Sequence, residues 1–214
     1  MFATDRDLLI VEPHLFRDVL WVGQRLLKAT GSVTASILTL SSADTSAALA
    51  NITQGHVAVV DGVAYEVLER TGDLTLLISR LRSSVLDPQI PVPDLSGKPV
   101  HVSTFAPQIA MVHRQMLRML GIEPEGSSIP GAVGEAAITN PRDLAPMQAF
   151  GALHIILAAA AATTGPQSPL GIRASFYRTL YSQERGRVVC TLDLDGDGAP
   201  ETTRRMNTAI LDRV

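Results

Sequence analysis

The first part of the chain alternates apolar and polar residues in short stretches, which is the pattern of half-buried β-strands. Turn residues separate the stretches, most clearly Asp61-Gly62, because Asp-Gly readily adopts the positive φ angles of a tight hairpin. The predicted strands are 19–28, 33–40, 56–60, 63–70 and 74–81, with a turn at 29–32 and with 8–11 as a candidate sixth strand. We therefore expect an antiparallel β domain over residues 1–86, closed as a barrel or packed as a sandwich.

Prolines interrupt this pattern between residues 87 and 99, at Pro88, Pro91, Pro93 and Pro99. Proline cannot extend a helix interior, and it cannot donate to the ladder of a central strand. The segment 87–99 is therefore predicted to be a linker.

Apolar residues beyond the linker repeat with the period of a helix. Ile109, Val112, Met116 and Leu120 share one face, and Gly121 marks the end of that helix. Two further helices are predicted from about 143 to 164 and from 168 to 186, and the chain closes with a hairpin over 187–214. The expected fold is α+β, with an N-terminal β domain and a three-helix domain over 100–186.

Two segments of this second half are unusual. Residues 144–164 carry no charge, which meets the length requirement of a membrane span, but Pro146, Gln148, His154 and many alanines favour a buried or interface helix instead. Residues 121–141 are rich in glycine and proline and are long for a connection, so we expect them either to be functional or to be poorly ordered in the lone subunit and ordered on assembly.

Composition narrows the function classes. Of 214 residues, 18 are Lys or Arg and 21 are Asp or Glu, and this net charge of −3 argues against nucleic-acid binding as the main task. The hydrophobic share is 46% and the charged share only 18%, which is typical of chains that bury apolar surface between subunits. A single cysteine, Cys190, excludes a disulfide framework within one chain, and the acidic start of the chain does not resemble a secretion signal.

Motifs for catalysis or cofactor binding are absent from the sequence. There is no nucleophile elbow, phosphate loop or histidine pair at metal-ligand spacing, and Cys190 lies in an alternating strand where a buried apolar role is expected. His113 is placed on the polar side of its helix. We therefore predict no enzyme activity, no catalytic residue, no cofactor and no metal.

The most suggestive short motif is Asp193-Leu194-Asp195-Gly196-Asp197-Gly198. Oxygen ligands at alternate positions followed by glycine are typical of an EF-hand calcium loop, but position twelve is Arg204 instead of a bidentate Glu. The simpler interpretation is a hairpin turn, with bound calcium as the alternative. If the hairpin contacts a neighbouring subunit, Asp195 and Asp197 together with Arg204 and Arg205 are the first contacts expected.

The order of elements over residues 100–214 resembles that of head–tail connector proteins, also called adaptor or neck proteins, of tailed bacteriophages and gene transfer agents. The resemblance depends on the helices of moderate length, on Phe176-Tyr177-Arg178 and Tyr181 in the last helix, and on the closing hairpin around the aspartates.

The resemblance implies a structural virion protein that forms a ring, commonly of twelve copies, below the portal and joins it to tail or stopper proteins. Such a protein is made in the host cytoplasm, sits at the head–tail junction away from any membrane, and meets DNA only as cargo passing through the ring. The N-terminal β region departs from the simplest adaptors, so a tail or baseplate subunit is the alternative. A small-ligand-binding intracellular protein is a further alternative.

Overall fold

The computed structural model describes residues 1–124 and 133–206. These residues form a mixed α+β structure that contains a closed, six-stranded antiparallel barrel and five α-helices. The predicted α+β class and antiparallel barrel are confirmed at this level. The chain divides into two compact units, which we call the barrel unit, Thr4–Ala106, and the helical unit, Met1–Ala3 with Pro107–Val214.

The barrel unit begins with two short helices and continues as six strands. The elements are α1 Asp5–Val11, α2 Leu15–Asp18, β1 Gln24–Thr34, β2 Ile37–Ser41, β3 Val57–Val60, β4 Val63–Arg70, β5 Thr75–Ser79 and β6 Leu95–Thr104. The strand order is β1-β2-β5-β4-β3-β6, and β6 pairs with β1 to close the barrel. Buried side chains from every strand, among them Leu27, Leu38, Leu76 and Val102, form its core.

The hairpin between β3 and β4 is the one predicted from Asp61-Gly62. Both residues have positive φ, 52° and 80°, and Val60 pairs with Val63 across the turn. The strand predicted at 74–81 is also present as β5.

The first hairpin turns at a different place from the prediction. The turn lies at Ala35-Ser36, both with positive φ, and 29–32 are part of β1. Gly31 is needed for close packing, because a Cβ there would lie 2.9 Å from side-chain atoms of Leu38 and Val100. The Ser36 hydroxyl accepts a hydrogen bond from Val92 N–H at 2.9 Å, which helps to hold the turn.

The linker predicted at 87–99 is wrong in its last part, because Leu95–Thr104 form β6, between β1 and β3. Proline is tolerated here because Pro99 lies just beyond the end of the β3 ladder, which stops at Val60 and Val100. The helical domain predicted over 100–186 therefore begins too early, because 100–104 also belong to β6.

The candidate strand 8–11 is also wrong, because these residues belong to helix α1. The Asp7 carboxylate accepts hydrogen bonds from the backbone N–H and the hydroxyl of Thr4, at 2.7 and 2.9 Å, and so begins the helix.

The helical unit contains each of the three helices expected from the sequence, followed by a hairpin. The elements are α3 Ala106–Leu120, a 3₁₀ turn Glu135–Ala137, α4 Pro141–Ala161, α5 Pro169–Arg187, β7 Val189–Leu192 and β8 Thr202–Arg205. Ser168 caps α5 by accepting a hydrogen bond from Gly171 N–H at 3.2 Å. The expected ordering of 121–141 and the outer arm of the hairpin fall partly on residues 125–132 and 207–214, outside the described residues.

Helix α4 is the one helix in the described ranges that is long and apolar enough to cross a membrane by length and composition. In the fold, 61% of its most apolar window is buried. Gly151 lets α4 approach its neighbours closely, since a Cβ there would lie 2.8 Å from Val112 of α3 and 3.0 Å from the ring of Tyr181 of α5. The helix therefore packs as the centre of the helical unit, as expected for the buried helix predicted from its sequence.

Candidate functional site

The loop between β7 and β8 collects acidic side chains at one end of the hairpin. Asp193 accepts hydrogen bonds from Gly196 N–H at 2.6 Å and from Gly198 N–H at 2.8 Å, and both glycines have positive φ. Asp195 and Asp197 each accept a hydrogen bond from the backbone N–H two residues later, at 3.1 and 2.7 Å. The loop is thus closed by hydrogen bonds from its backbone N–H groups to its own aspartate side chains, as expected for the predicted turn.

Four acids of this loop could also hold a cation. One carboxylate oxygen from each of Asp193, Asp195, Asp197 and Glu201 lies within 4.8 Å of the others. An all-oxygen set of this kind suits calcium. Glu201 was not among the predicted residues, because an EF-hand loop requires its last acid at position twelve, where this chain has Arg204. Glu201 nevertheless continues the odd-numbered spacing of the three aspartates.

The four predicted interface residues are not brought together. Asp195 and Asp197 are exposed in the loop, whereas Arg204 and Arg205 lie on β8 at the other end of the hairpin, where they pair with Cys190 and Val189. Three residue steps separate Arg205 from Thr202 at the loop end, which is about 10 Å of strand.

Arg204 has a partner within its own chain. Its guanidinium donates to the carbonyl oxygens of Leu120 and Gly121 at 2.7 and 2.8 Å, where α3 ends. It thereby satisfies carbonyls at a helix C-terminus and compensates the helix dipole there. Arg205 is exposed, so of the two arginines it is the one whose head group faces solvent.

Helix α5 presents an unusual outer face. Gly171, Ala174 and Tyr177 are its buried residues, while Ile172 and Phe176 are 59% and 56% exposed. These two are one helical turn apart and therefore lie side by side, and Thr179 and Gln183 continue the same line. We call Ile172, Phe176, Thr179 and Gln183 the α5 outer stripe.

His113 lies in a different environment from the one predicted. It is buried, its Nε2 lies 2.9 Å from the Glu135 carboxylate, and its ring packs edge-on against Phe2 at 4.6 Å between centroids. Burial alone would raise the pKa of Glu135, but the hydrogen bond and charge of His113, together with the N-terminal ammonium 3.4 Å away, lower it below its ordinary value. His113 and Glu135 therefore form a partly buried hydrogen-bonded pair that fastens the 3₁₀ turn to α3.

A second charged cluster is buried in the barrel unit. Glu66 of β4 is flanked by two guanidiniums, with Arg6 Nε 2.6 Å from Oε2 and Arg82 Nε 2.5 Å from Oε1. Arg82 also donates to the carbonyl oxygens of Val85 and Asp87, at 3.1 and 2.6 Å. The cluster fastens α1 and the segment after β5 to the barrel wall, which is a structural role.

Cys190 has the buried environment expected from its strand. Burial raises the pKa of its thiol to about 11, although the charge of Arg204 partly opposes the shift. A thiol with this pKa is a poor nucleophile at neutral pH.

A shallow groove of about 280 Å³ lies on the outside of the barrel unit. Its walls are mostly apolar, and its polar side chains are His14 and Arg17. The groove does not bring together a nucleophile, a general base and an oxyanion site, so its residues suit weak apolar contact.

In comparisons with known proteins, no family model, no curated protein and no solved structure matches the chain significantly.

Proposed function

We propose that this chain is a structural virion protein, a head–tail connector subunit that forms a ring, joins the portal to tail or stopper proteins and lines the channel through which DNA passes. In this role it is not an enzyme, holds no cofactor and acts at the head–tail junction. The ring has twelve copies in this proposal, in line with the resemblance of residues 100–214 to adaptor proteins.

The observation that carries the proposal is the α5 outer stripe. Ile172 and Phe176 lie next to each other on a helix whose other face is already packed. A monomer gains nothing from exposing two large apolar side chains in line, whereas a subunit can bury them against a neighbour. Met111 of α3, 52% exposed, and Leu194 of the acidic loop, 53% exposed, add apolar surface to the same unit.

We further propose that the two units act as separate domains, an N-terminal barrel and a C-terminal helical domain with its closing hairpin. The net charge of −3 supports a conduit role, because a strongly basic wall would hold DNA by its phosphates. The long apolar helix α4 then serves as the internal support of the domain that forms the ring.

Light scattering of the purified full-length chain across a dilution series, alone and mixed with a portal protein, tests this proposal. We expect a ring at high concentration or a defined complex with portal. A monomer that responds neither to concentration nor to portal would contradict it, and the external groove of the barrel unit would then be tested for ligand binding.

The closed barrel favours one alternative, a tail or baseplate subunit, because small β-barrels are common building units of those assemblies. Electron microscopy of particles labelled with an antibody against this chain separates the two. Label at the neck supports the connector role, and label along the tail or at its distal end supports the alternative.

A further inference from the structure

Helix α3 carries positive charge on its exposed side. Between Ala106 and Leu120 it contains two arginines, Arg114 and Arg118, and no acid. Both arginines are exposed, and neither forms an ion pair within the part of the chain that the structure describes. Their charge is therefore available to a partner.

The two arginines share one face of α3 with an apolar residue, Met111, which is 52% exposed. At about 3.6 residues per turn, Arg114 and Arg118 lie about 60° and about 20° around the helix from Met111, and about 4.5 Å and about 10.5 Å along it. Gln115 lies on the same face and is also exposed. We call Met111, Arg114, Gln115 and Arg118 the α3 outer face.

The acidic loop, residues 193–201, has the complementary composition. It contains no basic residue, and its acids are Asp193, Asp195, Asp197 and Glu201. One carboxylate oxygen from each acid lies within 4.8 Å of the others, and no ion pair among the described residues involves any of the four. Leu194, between two of the aspartates, is 53% exposed. The loop thus places concentrated negative charge beside an exposed leucine.

The two surfaces match in spacing as well as in sign. Arg114 and Arg118 are one helical turn apart, so their Cβ atoms are about 5–6 Å apart. This spacing is close to the 4.8 Å within which the carboxylate oxygens of the loop lie. Both guanidiniums can therefore reach the acidic cluster together. Complementary charge selects the correct partner and speeds the encounter, while the apolar residues supply burial.

The partner that offers this loop is a second copy of the chain. Within one chain, the residue of the hairpin that contacts the end of α3 is Arg204, through the carbonyl oxygens of Leu120 and Gly121. Three residue steps, about 10 Å of strand, separate Arg204 from Glu201 of the acidic loop. Because the loop and the α3 outer face are different patches, their contact between copies is head-to-tail, and such a contact closes into a ring when its rotation divides the circle.

We propose that the α3 outer face of one copy is the docking surface for the acidic loop of a second copy. Leu194 packs against Met111, and the two exposed aspartates, Asp195 and Asp197, face the arginines of α3. This inference rests on the proposed ring-forming function and adds a charged subunit contact to the apolar one proposed for the α5 outer stripe. It retains the two aspartates nominated from the sequence and replaces Arg204 and Arg205 by the arginines of α3.

Charge reversal with rescue tests the contact. One full-length variant carries Arg114→Glu and Arg118→Glu, a second carries Asp195→Lys and Asp197→Lys, and a third carries all four changes. In light scattering across a dilution series, we expect each two-site variant to need at least about tenfold more protein to assemble, since like charges then face each other. We expect the four-site variant to regain most of the wild-type assembly. The two two-site variants should also assemble when they are mixed, because each then meets its complement.

A milder variant, Arg114→Gln with Arg118→Gln, removes the attraction without adding repulsion and should weaken assembly less than the reversal does. Circular dichroism confirms that every variant is folded before its mass is measured.

Matched controls come from exposed charges of the barrel unit. Glu69→Lys with Asp73→Lys changes the net charge as the loop variant does, and Arg70→Glu with Arg80→Glu matches the α3 variant. Both controls are expected to assemble as wild type does.

The outcomes separate this inference from the function on which it rests. If wild type forms a ring and the reversals leave it unchanged, or weaken it without rescue, the docking surfaces are wrong and the connector proposal stands. If wild type binds portal but does not self-associate, only this inference fails. If the arginine reversal abolishes only the complex with portal, or only binding to a duplex DNA probe, the α3 outer face serves that partner and the inference is overturned. If wild type remains a monomer at every concentration and with portal, both proposals fail.

Discussion

The barrel unit and the helical unit treat exposed apolar residues and charges in opposite ways. The barrel unit exposes large apolar residues at positions spread over several loops and elements, including the consecutive pairs Leu20-Trp21 and Val85-Leu86, and buries a charged cluster around Glu66. The helical unit aligns Ile172 and Phe176 on one helix face and leaves acids and arginines of opposite sign on its surface. Scattered apolar residues are ordinary on any monomer, but aligned ones with charged surroundings are typical of an interface. For the proposed ring, this contrast favours the aligned face of α5 as a subunit contact.

The largest effect is expected at the centre of the buried charged cluster. Glu66→Gln keeps the size of the side chain but leaves the guanidiniums of Arg6 and Arg82 without a carboxylate in a buried place. We expect a loss of about 3–5 kcal/mol in the free energy of unfolding, measured by urea denaturation.

The control for this change is Glu69→Gln, an exposed position on the same strand, where we expect a change within about 0.5 kcal/mol. A loss below about 1 kcal/mol for Glu66→Gln would show that the stability of the barrel does not depend on its buried charged cluster.

A smaller loss is expected where α4 approaches its neighbours. In Gly151→Ala, the new methyl group meets Val112 and Tyr181 at 2.8 and 3.0 Å. Overpacking costs about 1–3 kcal/mol, and the better helix propensity of alanine returns up to about 1 kcal/mol, so we expect a net loss of about 1 kcal/mol in urea denaturation.

The exposed Gly186 near the end of α5 provides the comparison, because Gly186→Ala is expected to stabilise the chain slightly. Equal stabilisation by both changes would mean that the helices of this unit are not closely packed at Gly151.

A still smaller and pH-dependent effect is expected at Glu135. Its pKa is lowered in the folded protein, so its pairing with His113 and the N-terminal ammonium stabilises the fold above the ordinary pKa of 4.5 and is lost as the pH falls through the folded value. At about pH 6, Glu135→Gln should cost about 0.5–1 kcal/mol in the free energy of unfolding, and below about pH 3 the difference from wild type should vanish.

Glu123→Gln, in the same unit, serves as the control for this pH series. A Glu135→Gln deficit that stays constant from neutral to acidic pH would contradict a role for the carboxylate charge and would favour simple loss of packing.

The barrel was predictable where its turn chemistry was local. Asp61-Gly62 marks its hairpin because the two residues themselves set the positive φ angles. Gly31 led to a wrong turn prediction, because glycine is used both in turns and where chains pack closely. The sequence does not show that Leu38 and Val100 pack against this position. Pro99 misled it for a similar reason, since the end of the β3 ladder is a property of the sheet.

The candidate site shows the same limit. The turn around Asp195 and Asp197 could be predicted from the alternation of Asp and Gly, because its hydrogen bonds join residues only two or three positions apart. The role of Arg204 could not be predicted, because its partners are backbone carbonyls 84 and 83 residues earlier, and a carbonyl leaves no mark in the sequence. His113 and Glu135 likewise meet through the fold, across 22 positions of chain.

The smallest effect on stability is expected from replacing two exposed apolar residues, one in each unit. The same replacements test most directly which unit carries the subunit contact. Phe176→Ser in α5 and Leu49→Ser in the barrel unit each remove a side chain that is already more than half exposed, at 56% and 84%. Each should change the free energy of unfolding of the dilute protein by no more than about 0.5 kcal/mol.

Self-association should distinguish them, because only Phe176 belongs to an aligned apolar face. Light scattering across a dilution series should show that Phe176→Ser raises the concentration needed for assembly at least about tenfold, the effect of losing one buried aromatic anchor, while Leu49→Ser assembles as wild type does. The reverse result would place the subunit contact on the barrel unit. Equal weakening by both variants would mean that the two units share the contact, since a loop residue would then contribute as much as the aligned residues of α5.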